Sequence, residues 1–210
     1  ALRRDARASE NFPQDIQELQ AFLGPVDEEQ EIQAVPGGNL NVPLWILGSS
    51  LYGAQLSAAF GLPYAFASHF APGDLDQALV EYRRSFTPSA QLQQPYAMPC
   101  INVIVADTDE QAQYLFTSTQ QRIIGMLRNQ RGKLAAPVDD IEALWQPMEK
   151  AHVGQMLSCS FVGSVETIKR KLQGFIERTQ ADELMISSAI YDHKARLHSY
   201  ALLAEVGSQL

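Results

Sequence analysis

The stretch LWILGSSLYGAQLSAAFGLPYAFASHF, Leu44–Phe70, decides how this chain folds. Leu44-Trp45-Ile46-Leu47 is a continuous apolar run between Pro43 and Gly48, the pattern expected of a strand covered on both faces. Gly48-Ser49-Ser50 breaks the run. Ser49 or Ser50 can cap a helix predicted over Leu51–Phe60, which is rich in Ala and stopped by Gly61. After Gly61-Leu62-Pro63 a second apolar run, Tyr64–Ser68, predicts another buried strand. Strand, turn, helix and strand in this order are the unit of a parallel sheet with crossover helices.

The rest of the chain repeats that unit. Ile16, Leu19, Phe22 and Leu23 lie at helical spacing from Pro13 to Leu23, and Gly24-Pro25 stops them. Val26–Val42 is acidic, then rich in Pro, Gly and Asn, and reads as a loop. Asp74–Phe86 predicts a helix with Leu75, Ala78, Leu79 and Tyr82 as its apolar stripe. Tyr96–Ala106, with INVIVA at its centre, predicts the third strand, and DTDEQAQYLFTSTQQRIIGML a long helix opened by acidic cap candidates. From about 128 to 160 the pattern loosens into Gly, Pro and short helical fragments, an insertion rather than a new domain. After SFVG, Ser164–Arg178 reads as a helix, ADELMIS as the fourth strand, and the chain ends in an amphipathic helix from Asp192 or His193 to Val206.

Composition bounds the chemistry. With 210 residues, 46% of them hydrophobic, the chain is globular. A net charge of −8 excludes general attraction to nucleic acid or an anionic membrane, so a phosphate ligand needs dedicated donors. Cys100 and Cys159 form no CxxC or Cys/His spacing, which speaks against a disulfide framework or a metal site and fits a reducing cytoplasm. There is no stretch of roughly 18 apolar residues and no signal-peptide pattern. GxSxG, P-loop, HExxH and GxGxxG patterns are absent, which removes the common hydrolase, nucleotide and metalloprotease readings.

The remaining polar residues are ambiguous. His69 follows the second strand, at the end where parallel α/β sites are built, yet a satisfied histidine at a strand end fits equally well. Asp182 and Glu183 are adjacent in a predicted strand and point to opposite faces, so they read as structural. Asp192, His193, Arg196 and His198 fit capping and surface roles on the last helix, and Lys169, Arg170 and Lys171 a solvated helix face. Gly48, Ser49 and Ser50 combine close backbone approach, hydroxyls and free amides at a helix start, the makings of an anion cradle. Taken alone, they also make an ordinary capped helix.

VPLWILGSSLYGAQLSAAFGLPYAFASHFAP, FVGSVETIKRKL, ADELMI and the ending YDHKARLHSYALLAEV, taken in order, resemble the luciferase-like, flavin-dependent monooxygenases related to bacterial luciferase. The resemblance covers almost the whole chain and implies a (β/α)8 TIM-barrel fold, with Leu44–Leu47 as the fifth strand. Residues 1–210 would then supply about the last four β/α units of one barrel domain. An opening without Met, ALRRDARASENFP, and only four strands agree with the N-terminal half of the barrel lying outside this chain. Half a barrel exposes two strand edges, so pairing with the missing half or with another copy is expected, as is a homo-oligomer such as a dimer. The implied activity is an FMN-dependent monooxygenase that uses reduced flavin and dioxygen on a small organic substrate, with NAD(P)H as the indirect electron source through a flavin reductase. A non-catalytic flavin-binding or structural relative is the alternative. By the same resemblance Gly48, Ser49 and Ser50 hold the FMN phosphate, with Tyr52 among the cofactor-binding candidates; His69, also a cofactor-binding candidate, would line the flavin or the substrate cavity. Gly48 and Tyr52 depart from the Glu/Ser/Thr-rich stretch of luciferase. No catalytic residue is assigned, because those of the family belong largely to the absent half, and this chain alone is expected to be inactive.

Overall fold

A computed structural model of the chain describes residues 8–26, 30–130 and 132–210. The charged opening segment 1–7, the acidic residues 27–29 of the predicted loop and position 131 of the insertion lie outside the described residues. The elements are α1 (Phe12–Leu23), β1 (Ile46–Gly48), α2 (Leu51–Phe60), β2 (Tyr64–Phe66), α3 (Leu75–Ser85), β3 (Ala97–Val105), α4 (Asp109–Leu127), α5 (Pro147–Met156), β4 (Ser160–Gly163), α6 (Val165–Thr179), β5 (Met185–Ser187) and α7 (His193–Gly207). Thr108, not an acidic residue, caps α4, its side chain accepting from the Gln111 amide.

All strand pairs are parallel, and β3 is their hub. Being nine residues long, it serves two short strands along one edge. Even-numbered backbone groups bond first toward β2, with His69 N donating to Cys100 O at 2.7 Å, then toward β4, with Asn102 N donating to Cys159 O at 3.0 Å. Odd-numbered groups face β5, where Asp182 N donates to Ala97 O at 3.0 Å. Four strands are expected from the sequence and five are found. The additional one, β4, pairs with Asn102–Val105, the part of β3 that β2 leaves uncovered. Four residues are too few to display a period, which is why SFVG alone does not read as a strand.

The two faces of the sheet differ. Ala97, Ile101, Val103 and Val105 of β3 join Tyr64 and Phe66 of β2 beneath Leu79 and Tyr82 of α3, Leu172 and Phe175 of α6 and Val206 of α7. This is the main core. On the opposite face Ile104 packs with Phe116 and Ile124 of α4, Val153 of α5 and Val162 of β4, so α4 and the looser segment after it build a second layer over the far end of β3. Nearer the start of the sheet that face is only partly covered: Ala65 and Cys100 are buried, but its margins are not. Leu47, Ala65 and Met98 share it by register, as do Cys100 and Met185, yet Leu47 is 68% exposed, Met185 47% and Trp45 38%. The expectation of a strand covered on both faces therefore holds for Tyr64–Phe66 and fails for β1: Ile46 is buried against Leu56 and Leu62, while Leu47 points away from every helix of the main core.

Tyr82 ties the main core to the sheet. Its hydroxyl donates to Leu62 O at 2.9 Å and accepts from Tyr96 N at 3.0 Å, and burial pushes its pKa up to about 12, so it remains a donor. Tyr82→Phe leaves the Leu62 carbonyl and the Tyr96 amide without this partner. The expected cost is about 1–3 kcal/mol, read from the midpoint of denaturant unfolding.

Candidate active site at the strand ends

β1 ends at Gly48 because α2 and β2 crowd it. A Cβ on Gly48 would meet the Gly53 Cα at 3.2 Å and the Tyr64 ring at 3.5 Å, and one on Gly53 would meet the Gly48 Cα at the same 3.2 Å. Two glycines thus let the first turn of α2 lie directly on the strand end. Tyr64 supports this turn from below, its buried hydroxyl donating to the Ser50 carbonyl at 3.2 Å. Burial, aided by the Asp74 charge, raises the Tyr64 pKa and keeps that proton in place.

Ser50 is the N-cap of α2 in extended conformation, but its side chain makes no cap hydrogen bond. Ser50 thus takes the N-cap position expected from the sequence, but without a side-chain capping bond: both serines face solvent, and neither hydroxyl has a partner among the described residues. The cause is geometric, since the helix start is held instead through the Ser50 carbonyl and the Gly48–Gly53 contact. What remains is a helix N-terminus with free hydroxyls and first-turn amides that no capping side chain occupies, a site suited to an anion. Tyr52, 52% exposed, stands one residue into the same helix.

The neighbouring strand brings His69 to the same end of the sheet. Ala67 N donates to Gly48 O at 2.9 Å, which ties the two turns together. The His69 backbone is clamped on both sides: its amide donates to Cys100 O, and Asn102 Nδ2 donates to His69 O at 3.0 Å and to Ser160 Oγ at 3.2 Å. Ser68 Oγ also donates to Cys100 O, at 2.6 Å. The ring is half-buried, and its Nδ1 is buried without a hydrogen-bond partner.

Gly48, Ser49, Ser50, Tyr52 and His69 thus gather where β1 and β2 end. The other polar candidates lie elsewhere. Asp182 Oδ2 accepts from Ala97 N at 2.8 Å and Glu183 Oε2 from Tyr96 OH at 3.3 Å, so both brace the start of β3 from the residues just before β5. Asp192 caps α7, accepting from Ala195 N at 2.8 Å, and His198 Nε2 pairs with Asp107 Oδ1 at 2.8 Å. Lys169 and Lys171 bond to Gln209 Oε1 and to the Val162 carbonyl. Asn102 and Ser160 were not singled out in the sequence; a polar residue inside INVIVA is the one signal that marks the first of them.

With this geometry in place, the comparisons with known proteins are specific. The profile of the luciferase-like monooxygenases matches residues 9–183. The chain belongs to the luciferase-like monooxygenase family. It is 46% identical over 211 residues to a luciferase-like monooxygenase of Escherichia coli, covering 100% of this chain and 63% of that protein. It is 43% identical over 207 residues to YvbT of Bacillus subtilis, covering 98% of this chain and 62% of that protein. Among solved structures, apo-MsnO8 superposes with a TM-score of 0.76 at 27% identity, over 95% of this chain and 60% of that one. The chain thus spans less than two thirds of the relatives it matches, and its parallel α/β sheet is consistent with part of a barrel of this family. No described helix is long and apolar enough to cross a membrane.

Burial holds the His69 imidazole below its ordinary value of 6.5, opposed by the Cys100 carbonyl and helped by the Arg122 charge. A depressed histidine pKa means that the unfolded chain takes up the proton first, so the neutral ring contributes stability above pH 6.5 that is lost as pH falls through the folded value. Nuclear magnetic resonance titration of the ring is expected to give a midpoint below 6.5. Unfolding free energy should then fall less steeply below that pH in His69→Gln than in the native protein.

Proposed function

We propose that the complete protein is an FMN-dependent monooxygenase acting on a small organic substrate, and that the Gly48–Ser50 turn holds the FMN phosphate. One observation carries the reading: a helix N-terminus at a strand's C-terminal end, with exposed, unpartnered serine hydroxyls and two glycines that let the first turn of α2 lie directly against that strand end. Family membership supports it, and a structure of the oxygenating constituent of 3,6-diketocamphane monooxygenase in complex with FMN shares the fold, with a TM-score of 0.51 at 17% identity.

The residues present fit the group. Ser49 and Ser50 would donate hydroxyl hydrogens to phosphate oxygens, the first amides of α2 would add their dipoles, and Tyr52 would border the same pocket. His69, whose pKa burial holds below the ordinary value, carries a buried Nδ1 without a hydrogen-bond partner at the same end of the sheet. The bonds of its backbone to Cys100 and Asn102 hold the residue at the strand end, where its ring could accept or return a proton. When bound, reduced FMN supplies the electrons with which dioxygen is activated. Tyr64 and the Gly48–Gly53 contact keep the cradle rigid.

The partly covered face of Leu47, Met98 and Met185 belongs to the same reading. A parallel sheet is stable only when both faces are covered, and the proposed cover is the remaining part of the barrel, outside these residues. A separate flavin reductase drawing on NAD(P)H is the proposed source of reduced flavin, and a dimer the proposed assembly.

Ser50→Asp separates a phosphate site from a plain helix cap. Aspartate is a good N-cap and favours a helix start, so the variant should be as stable as the native protein or more so. The same charge repels a phosphate, and FMN affinity of the complete protein, measured by anaerobic fluorescence titration, should drop at least about tenfold. Unchanged affinity would rule the turn out as the phosphate site. Oxygen uptake with reduced FMN and a panel of aldehydes, ketones and sulfonates then reads turnover; binding without turnover would leave a flavin-binding relative.

A further inference from the structure

Asn102 of β3, Ser160 of β4 and Ser187 of β5 form one uncharged polar rung across the sheet. Asn102 is in register with both serines, and register partners point to the same face. That face lies opposite the main core, because the neighbours Ile101 and Val103 belong to the core. Two residues earlier on the rung's face stand Cys100 and Met185, on the partly covered part of the sheet; two residues later stands Ile104, under the layer of α4.

Asn102 is 5% exposed, and its amide has one possible orientation. Nδ2 donates to His69 O at 3.0 Å and to Ser160 Oγ at 3.2 Å; a backbone carbonyl only accepts, so the nitrogen must stand on that side. Both amide hydrogens are engaged. Oδ1 is left without a hydrogen-bond partner among the described residues, yet it is not sealed from solvent as the unpartnered Ser118 and Ser188 hydroxyls are. The half-buried Ser187 hydroxyl likewise makes no bond to a described residue. A nearly buried acceptor, held in one orientation and unpaired, costs free energy that a donor brought by a ligand would recover. Beside it the Ser187 hydroxyl can donate, and Cys100 and Met185 supply an apolar floor.

We propose that this rung receives an uncharged amide-type group of the substrate, an N–H beside a carbonyl on an apolar body. The N–H donates to Asn102 Oδ1 and the carbonyl accepts from the Ser187 hydroxyl, which makes both residues specificity-determining. An anionic head would face the lone pairs of Oδ1, and an ester or ether offers that oxygen no hydrogen. Strand β2 separates the rung from β1, so the rung shares no side chain with the Gly48 turn. The proposal rests on the flavin reading only for calling the ligand a substrate.

The test uses the complete protein and isothermal calorimetry with N-methyloctanamide and its isostere methyl octanoate, in which an oxygen replaces the N–H, alongside an independent FMN titration. The amide is expected to bind about tenfold or more tightly than the ester. Asn102→Ala should abolish that preference. Because this change also strips the His69 carbonyl of a donor, Ser187→Ala, which removes no bond between described residues, is the second variant. It should weaken amide binding about threefold or more, with the unfolding midpoint and FMN affinity unchanged. Methyl octanoate binding as tightly as the amide, or full amide affinity in Ser187→Ala, would overturn the proposal. So would an equal loss of FMN and amide affinity in Ser187→Ala, which would give the rung to the flavin. Preference for the amide in a protein that fails to bind FMN would refute the flavin reading while upholding the rung as an amide site.

Discussion

Strand β3 is the constraint on which the rest of the structure depends. Its nine residues are bonded to β2 and β4 along one edge and to β5 along the other, and its odd-numbered side chains form the floor of the main core. The same strand positions the candidate site. The Cys100 carbonyl accepts from both Ser68 Oγ and His69 N, and the Asn102 side chain reaches the His69 carbonyl, so the histidine turn is fixed by β3 rather than by its own strand. Asn102 is buried, and its bonds to His69 O and Ser160 Oγ join the turn after β2 and the start of β4 to the interior of β3. A buried amide with both hydrogens engaged specifies one arrangement of those ends, because any shift would leave it unpaired.

The Gly48 turn shows a related economy. An ordinary helix start satisfies its amides with a side chain; here the start is secured by a carbonyl bonded to Tyr64 and by glycine-to-glycine contact. The hydroxyls and amides therefore stay available. Supporting a turn from behind leaves its front free for a ligand, which is how a rigid anion site differs from a well-capped helix.

Much of this was legible in the sequence, for physical reasons that also explain the gaps. Leu44–Phe70 carries its strands and helix openly, because continuous apolar runs, an Ala-rich segment and the stop at Gly61 each report a local preference. The stripe Leu75, Ala78, Leu79 and Tyr82 is buried as its spacing predicts, and Asp192 caps the last helix. The strand β4 was hidden because its pairing is decided by the unused part of β3, a long-range condition. The exposure of Leu47 was hidden for the opposite reason: an apolar strand records that its face is to be covered, not whether the covering residues are in the same stretch. The absent side-chain bond at the N-cap Ser50 is a property of partners, which no single position encodes.

In the proposed reading, the partly covered face of Leu47, Met98 and Met185 is the inner wall of a barrel completed by the rest of the protein. Methionine oxidation by dilute peroxide in the complete protein, read residue by residue by mass spectrometry, tests it most directly, because oxidation follows exposure. Met148, 76% exposed on α5 and away from that face, is the internal standard. Met185 is 47% exposed in this chain, and a completed barrel predicts that it oxidises at least about tenfold more slowly than Met148. Comparable rates at Met185 and Met148 would contradict it.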